Sequence, residues 1–191
     1  MSLTTAKRFT IAEYHRLLEL GFFSEDDRVE LIKGEIIQIA AKGTPHSVCG
    51  TRLYRELFKL LAEKATLRGQ EPIIISENSE PEPDMVIVQN RPDDYLAVHP
   101  NPSDILLLIE IADSSLKYDQ EEKLLIYAEA NISDYWIFNL VDNYLECYSE
   151  PYQALQGKFG YRRKLISLPN ESVNLPCFSD LFLDLSKVFI E

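Results

Sequence analysis

The sequence predicts an α/β (α+β) protein in which a mixed β-sheet is flanked by helices. Three observations predict it. The runs Met85-Val86-Ile87-Val88 and Ile105-Leu106-Leu107-Leu108-Ile109 are continuously apolar, as strands buried on both faces are. Segments of helical periodicity precede and follow them. An aromatic-rich pair of segments around Asp142-Asn143 reads as a hairpin. At 191 residues and 46% hydrophobic, the chain fits a single domain spanning 1–191 with a substantial core.

Each element has a local reason. Thr10 is placed to cap a helix over 11–20, with Glu13 as capping-box partner and Gly21 as its stop. Residues 28–33 and 35–40 form a hairpin around Lys33-Gly34. Thr44-Pro45 opens a long helix, with threonine at the cap and proline at the first position. Its apolar stripe is Leu53, Leu57, Leu60 and Leu61, with Tyr54 and Phe58 beside it, and Gly69 is expected to end it. Strands are expected at 72–76, 85–89 and 104–112, the last two separated by a polar loop with three prolines. Asp119 and Glu122 make a second capping box, opening a helix to about residue 130. The hairpin strands fall at 135–140 and 144–149, a further strand at 160–167, and one short helix at 178–189.

Composition narrows the function. The net charge is −12, from 31 acidic and 19 basic residues, which is awkward for a nucleic-acid binder. No apolar stretch approaches the roughly 20 residues that a membrane span needs. The first residues carry no apolar signal core, so a cytoplasmic protein is expected. Cys49, Cys147 and Cys177 are far apart with no CxxC, against a zinc knuckle or a disulfide framework. His15, His46 and His99 are scattered, against a histidine-built metal site.

Four residues carry the chemistry. Glu110 interrupts a buried strand, where an ionised carboxylate is costly unless a cation or donors meet it. Perturbed buried carboxylates cluster at functional sites. Asp84 opens the neighbouring apolar run; alone it would be a turn residue, but adjacent strands can bring it to Glu110. Magnesium takes one or two carboxylates plus waters and phosphate oxygens, which matches this pair. Lys123 follows Glu110 by 13 residues on the next helix, bordering the stripe Gln120-Leu124-Tyr127-Ala128 that should face the sheet. It can reach back to the carboxylates, hold an attacking water or offset phosphate charge; Tyr127 lies four residues on, along the same face. Glu30 is either a solvated strand residue or a third carboxylate of the site.

Other candidates are weaker. His46 stands at a helix N-terminus, where anions are favoured; it contacts a phosphate or is simply a surface or capping histidine. Arg52, Arg55 and Lys59 share a helix side with Glu56 and Glu63, which reads as an ion-paired solvated face. Lys158, Arg162, Arg163 and Lys164 form the densest positive patch, the best candidate for contacting a nucleic-acid backbone. Tyr135 and Trp136 read as core.

The strings RVELIKGEII, EPDMVIV and LLLIEIADSSLKYDQEEKLLIYAEANISDYWIFNL, with the TPH before the long helix, resemble the Uma-type restriction endonucleases of the PD-(D/E)XK nuclease superfamily. The resemblance covers about 9–150 and leaves 151–191 as a strand/helix extension. It implies a restriction-endonuclease-like core with about four strands. It implies Asp84 and Glu110 as magnesium ligands, with manganese able to substitute, and Glu30 as the N-terminal acid of the metal site, tuning it or recruiting a second ion. The superfamily's lysine would fall two residues after Glu110, where this chain has Ala112; the resemblance moves that role to Lys123. The implied reaction is hydrolysis of a DNA phosphodiester by metal-activated water, leaving a 5′-phosphate. Cutting both strands needs two sites, so a homodimer is plausible. The competing readings are a catalytically inactive nuclease-fold binding or regulatory protein, a hydrolase of RNA or another phosphodiester, and a structural protein with a buried Glu110–Lys123 ion pair.

Overall fold

The computed structural model describes residues 5–24 and 27–189. Helix α1 (Ile11–Glu19) is capped as its sequence dictates. Thr10 Oγ1 accepts from the Glu13 N–H, and the Glu13 carboxylate accepts from the Thr10 N–H. Strands β1 (Val29–Ile32) and β2 (Glu35–Gln38) pair across Lys33-Gly34. Both turn residues have positive φ, 49° and 76°, as a tight hairpin requires. A Cβ on Gly34 would also lie 2.7 Å from the Arg8 Cβ, so the position needs glycine twice over.

Helix α2 (Thr44–Leu61) is capped by Gly43, one residue earlier than expected, and ends well before Gly69. Ala62 turns out of the helix at φ 46°. Thr66–Gly69 instead forms β3, pairing with β4 (Met85–Val88). Helix-favouring Ala62, Glu63 and Lys64 hide this boundary locally; pairing with a buried strand decides it. Residues 72–76 are extended but make only one isolated bridge, Ser76 to Ser79, so they are not a strand.

The main sheet has six strands rather than about four, in the order β3-β4-β5-β6-β7-β8. The later ones are β5 (Ile105–Ala112), β6 (Asp134–Asn139), β7 (Tyr144–Gln153) and β8 (Phe159–Ser167). Only β5 and β6 are parallel. A parallel pair needs a crossover. Helix α3 supplies it, running Leu116–Tyr118, then a π-helical turn at Asp119–Lys123, then Leu124–Glu129. The expected capping box at Asp119 is absent, because the helix has already begun and Asp119 is buried inside it. The expected C-terminal helix is also absent. β9 (Ser172–Leu175) pairs with β10 (Phe178–Asp184), followed by a single 3₁₀ turn. Leu181, Leu183 and Leu185 alternate with a period of two, and Leu183 and Leu185 enter the core.

Two apolar layers hold the sheet. On one face Met85, Ile87, Leu107, Ile109, Trp136 and Phe138 meet Leu53 and Leu57 of α2 together with Leu183 and Phe189. On the other, Val86, Leu108, Tyr135 and Ile137 meet Ile126 and Tyr127 of α3 and Ile32 of β1. The second face also bears Glu110, since its neighbours in the alternation are Leu108 and Ala112.

Candidate active site

Met85 lies opposite Ile109 in the antiparallel β4–β5 ladder, and continuing that register sets Asp84 against Glu110. The two carboxylates are knitted through the backbone. The Asp84 N–H donates to Glu110 Oε2 at 3.2 Å, and the Ile111 N–H donates to Asp84 Oδ2 at 2.9 Å. From α3, Lys123 Nζ and the Tyr127 hydroxyl each donate to Glu110 Oε1 at 2.9 Å. Lys123 and Tyr127 are i, i+4 neighbours, so one helical face delivers both. The π turn that ends at Lys123 is the kind of one-residue irregularity that re-aims side chains at functional sites.

Glu30 on β1 is buried, with Oε2 3.6 Å from Lys123 Nζ and accepting from the Glu82 N–H at 3.1 Å. It is therefore part of the cluster and not a solvated strand residue. His46 is buried too, its Nε2 2.9 Å from Asp84 Oδ2, so it is neither a surface nor a capping residue. Lys42 Nζ donates to Asp84 Oδ1 at 2.9 Å. Sequence reasoning missed Lys42. Asp119 was misread as a cap; it is buried, with Oδ2 accepting from the Ser115 hydroxyl at 2.6 Å. Arg162 and Arg163 lie on β8, four strands from β4, and are not brought to this cluster. Arg163 pairs with Glu150 and the neighbouring Lys164 with buried Glu146.

Electrostatics separate the two strand carboxylates. Burial pushes Asp84 up, but His46 and Lys42 outweigh it and hold its pKa at about 2. Burial raises Glu110, opposed by Lys123 and reinforced by Asp119 and Asp84. Burial works against the charge on Lys123, yet Glu110, Glu30 and Asp119 prevail and raise its pKa. A cavity of about 300 Å³ opens onto these groups, bounded by Glu30, Glu82, Asp84, Glu110, Asp119 and Lys123. With Asp113, six acids line it against Arg28, Lys42 and Lys123, which gives it a cation-attracting interior. Among the described residues, no three His, Cys, Asp or Glu side chains form a ready-made metal cage. Two linked carboxylates beside open space are instead the donor set of a magnesium site completed by water and phosphate.

The sequence pattern of Uma2, described as "Putative restriction endonuclease", matches residues 11–186. The chain belongs to the Uma2 family. This match extends through β10, well beyond residue 150. Among solved structures, the Uma2 chain is similar to one described as a "putative nuclease belonging to DUF820 from Anabaena variabilis ATCC 29413". The two are 15% identical with a TM-score of 0.69, over 95% of this chain and 97% of that one. At that identity the likeness establishes a shared fold. No curated protein sequence matches this Uma2 protein. No helix among its described residues is long and apolar enough to cross a membrane.

Proposed function

We propose that this Uma2 protein is a magnesium-dependent endonuclease that hydrolyses DNA phosphodiester bonds. The observation that carries the reading is the convergence of Asp84, Glu110, Lys123 and Glu30 on one acidic cavity. Asp84 and Glu110 would hold the metal, magnesium or a substituting manganese. When bound, it would supply Lewis-acid charge and a more acidic water. Lys123 would orient the attacking water or offset charge on the phosphate, and the Tyr127 hydroxyl would keep Glu110 aimed. Glu30 would tune Lys123 through their 3.6 Å approach. Lys42 and His46 contact Asp84 and would be free to meet a phosphate once a metal engages that carboxylate.

The test is cleavage of supercoiled plasmid with magnesium, manganese or EDTA, beside Asp84→Ala and Lys123→Ala. Metal-dependent nicking lost in both variants is expected. A folded protein that cuts DNA in no metal would sink the reading. A second reading, a nuclease-fold binding or regulatory protein, is favoured by the net charge of −12 and by the closed Glu110–Lys123 pair. RNA offered in parallel separates a ribonuclease. A homodimer and a cytoplasmic setting belong to the same proposal; the three free cysteines suit a reducing compartment.

A further inference from the structure

Asp84, Lys42 and His46 form a partition. On one side lies the acidic cavity; on the other is a larger groove of about 770 Å³ between α2 and the edge strand β3. The acidic side suits a cation and phosphate. The second groove has a different chemistry, and nothing in the reaction above uses it.

Its helical wall is the stripe Ser47, Gly50, Thr51 and Tyr54, spaced as one face of α2. Phe58 extends that stripe. Tyr54 and Phe58 stack with centroids 6.3 Å apart and planes inclined by 11°. Both rings are exposed, 42% and 64%, and neither joins a core cluster. Gly50 and Gly69 leave the space between helix and strand open. A Cβ on Gly69 would stand 3.8 Å from the Tyr54 ring, and one on Gly50 would touch Ile111 at 3.4 Å, each taking up groove space. On the strand side the groove is lined by Leu67, Gly69 and Gln70. Exposed aromatic faces beside bare glycine backbone are what a nucleobase meets when it stacks. The protein's charge argues the same way. At −12 it cannot rely on a broad cationic face to hold a duplex by its phosphates, so stacking must supply more of the binding.

We propose that the groove between α2 and β3, with Tyr54 as its platform, seats an unpaired nucleobase of the strand whose phosphate lies at Asp84. The inference rests on the nuclease reading for the position of the phosphate. It makes the substrate a single strand, a flap or a locally opened duplex.

The test is binding without cleavage. The full chain in EDTA is titrated into a single-stranded DNA oligonucleotide carrying one 2-aminopurine, into its duplex, and into the RNA equivalent. Stacking on Tyr54 quenches the 2-aminopurine signal. Tyr54→Ala is expected to bind the single strand about fivefold or more weakly and to abolish the quenching. Tyr54→Trp is expected to retain both. Circular dichroism checks that the variants fold, as an exposed helix position should allow. Duplex bound as tightly as single strand, or Tyr54→Ala within twofold of the unaltered protein, would overturn the inference; so would no binding of either. Equal affinity for RNA and DNA single strands supports it, since stacking is indifferent to the sugar. Because the readout needs no turnover, it is independent of the plasmid assay: cutting with an unaffected Tyr54→Ala leaves the nuclease standing and removes only the groove.

Discussion

Both oxygens of Glu110 are hydrogen-bonded. Lys123 and Tyr127 take Oε1, and the Asp84 N–H takes Oε2. Removing the carboxylate leaves the buried Lys123 ammonium without its closest partner and with only the longer 3.6 Å approach of Glu30, so Glu110→Ala is expected to cost about 3–5 kcal/mol in urea unfolding. Glu110→Leu combined with Lys123→Met should recover part of that, and equal losses in the single and double variants would refute the account. Asp119 acts through pH. Burial raises its pKa from 3.8 to about 6, so the folded chain resists its ionisation. Its contribution is harmless below about pH 4, and the penalty accumulates between about pH 4 and 6 and is complete above that. Asp119→Asn should therefore be the more stable protein at pH 8 by roughly 2–3 kcal/mol and no more stable at pH 4, measured by denaturation in EDTA. Glu110 was legible in the sequence because a charge inside an apolar strand demands a partner. Lys42 was not, since a lysine in a loop is ordinary until the fold sets it 2.9 Å from Asp84.

At the scale of elements, the π turn of α3 is where local sequence and site geometry meet. Residues 119–123 carry both Asp119 and Lys123 to the cavity, while Glu121 and Glu122 remain exposed. Deleting Glu122 would let the segment close as regular α-helix, rotating its N-terminal part by about 100° relative to its C-terminal part. The expected result is retained helical circular dichroism with nuclease activity lost; full activity would show that the turn does not set the aim of Lys123. Periodicity located this helix and its sheet-facing stripe. It missed the extra residue, because a π insertion breaks the 3.6-residue pattern by one step without changing composition. The end of α2 was missed for a different reason. Ala62-Glu63-Lys64 favours helix locally, and only pairing of Thr66–Gly69 with Met85–Val88 overrides it.

Across the whole molecule, many basic side chains are already committed to acids, among them Lys7, Lys33, Lys64 and Arg163. Few remain to release counterions from DNA. The logarithm of the DNA-binding constant is therefore expected to fall with the logarithm of salt at a slope of roughly −2 to −3, in anisotropy titrations across sodium chloride. A slope near −8 would mean a broad phosphate-contacting face, with Arg162 and Arg163 the first residues to suspect. The fold class and the site were readable because buried strands announce themselves and their charged interruptions stand out. Strand β3 and the final hairpin were not, since β3 is four residues long and takes its identity from β4, and the alternation of β10 over Phe178–Asp184 passes for a short helix until Ser172–Leu175 pairs with it.

Glu30, Asp84, Glu110 and Lys123 come from four separate elements, and the segments between them include both α2 and β3. Bringing them together means closing long loops, the slow and entropically expensive part of folding a mixed sheet. No short fragment and no locally ordered intermediate contains the whole set. Any cutting power is thus tied to completion of the tertiary structure: a nascent or partly unfolded chain lacks the assembled site.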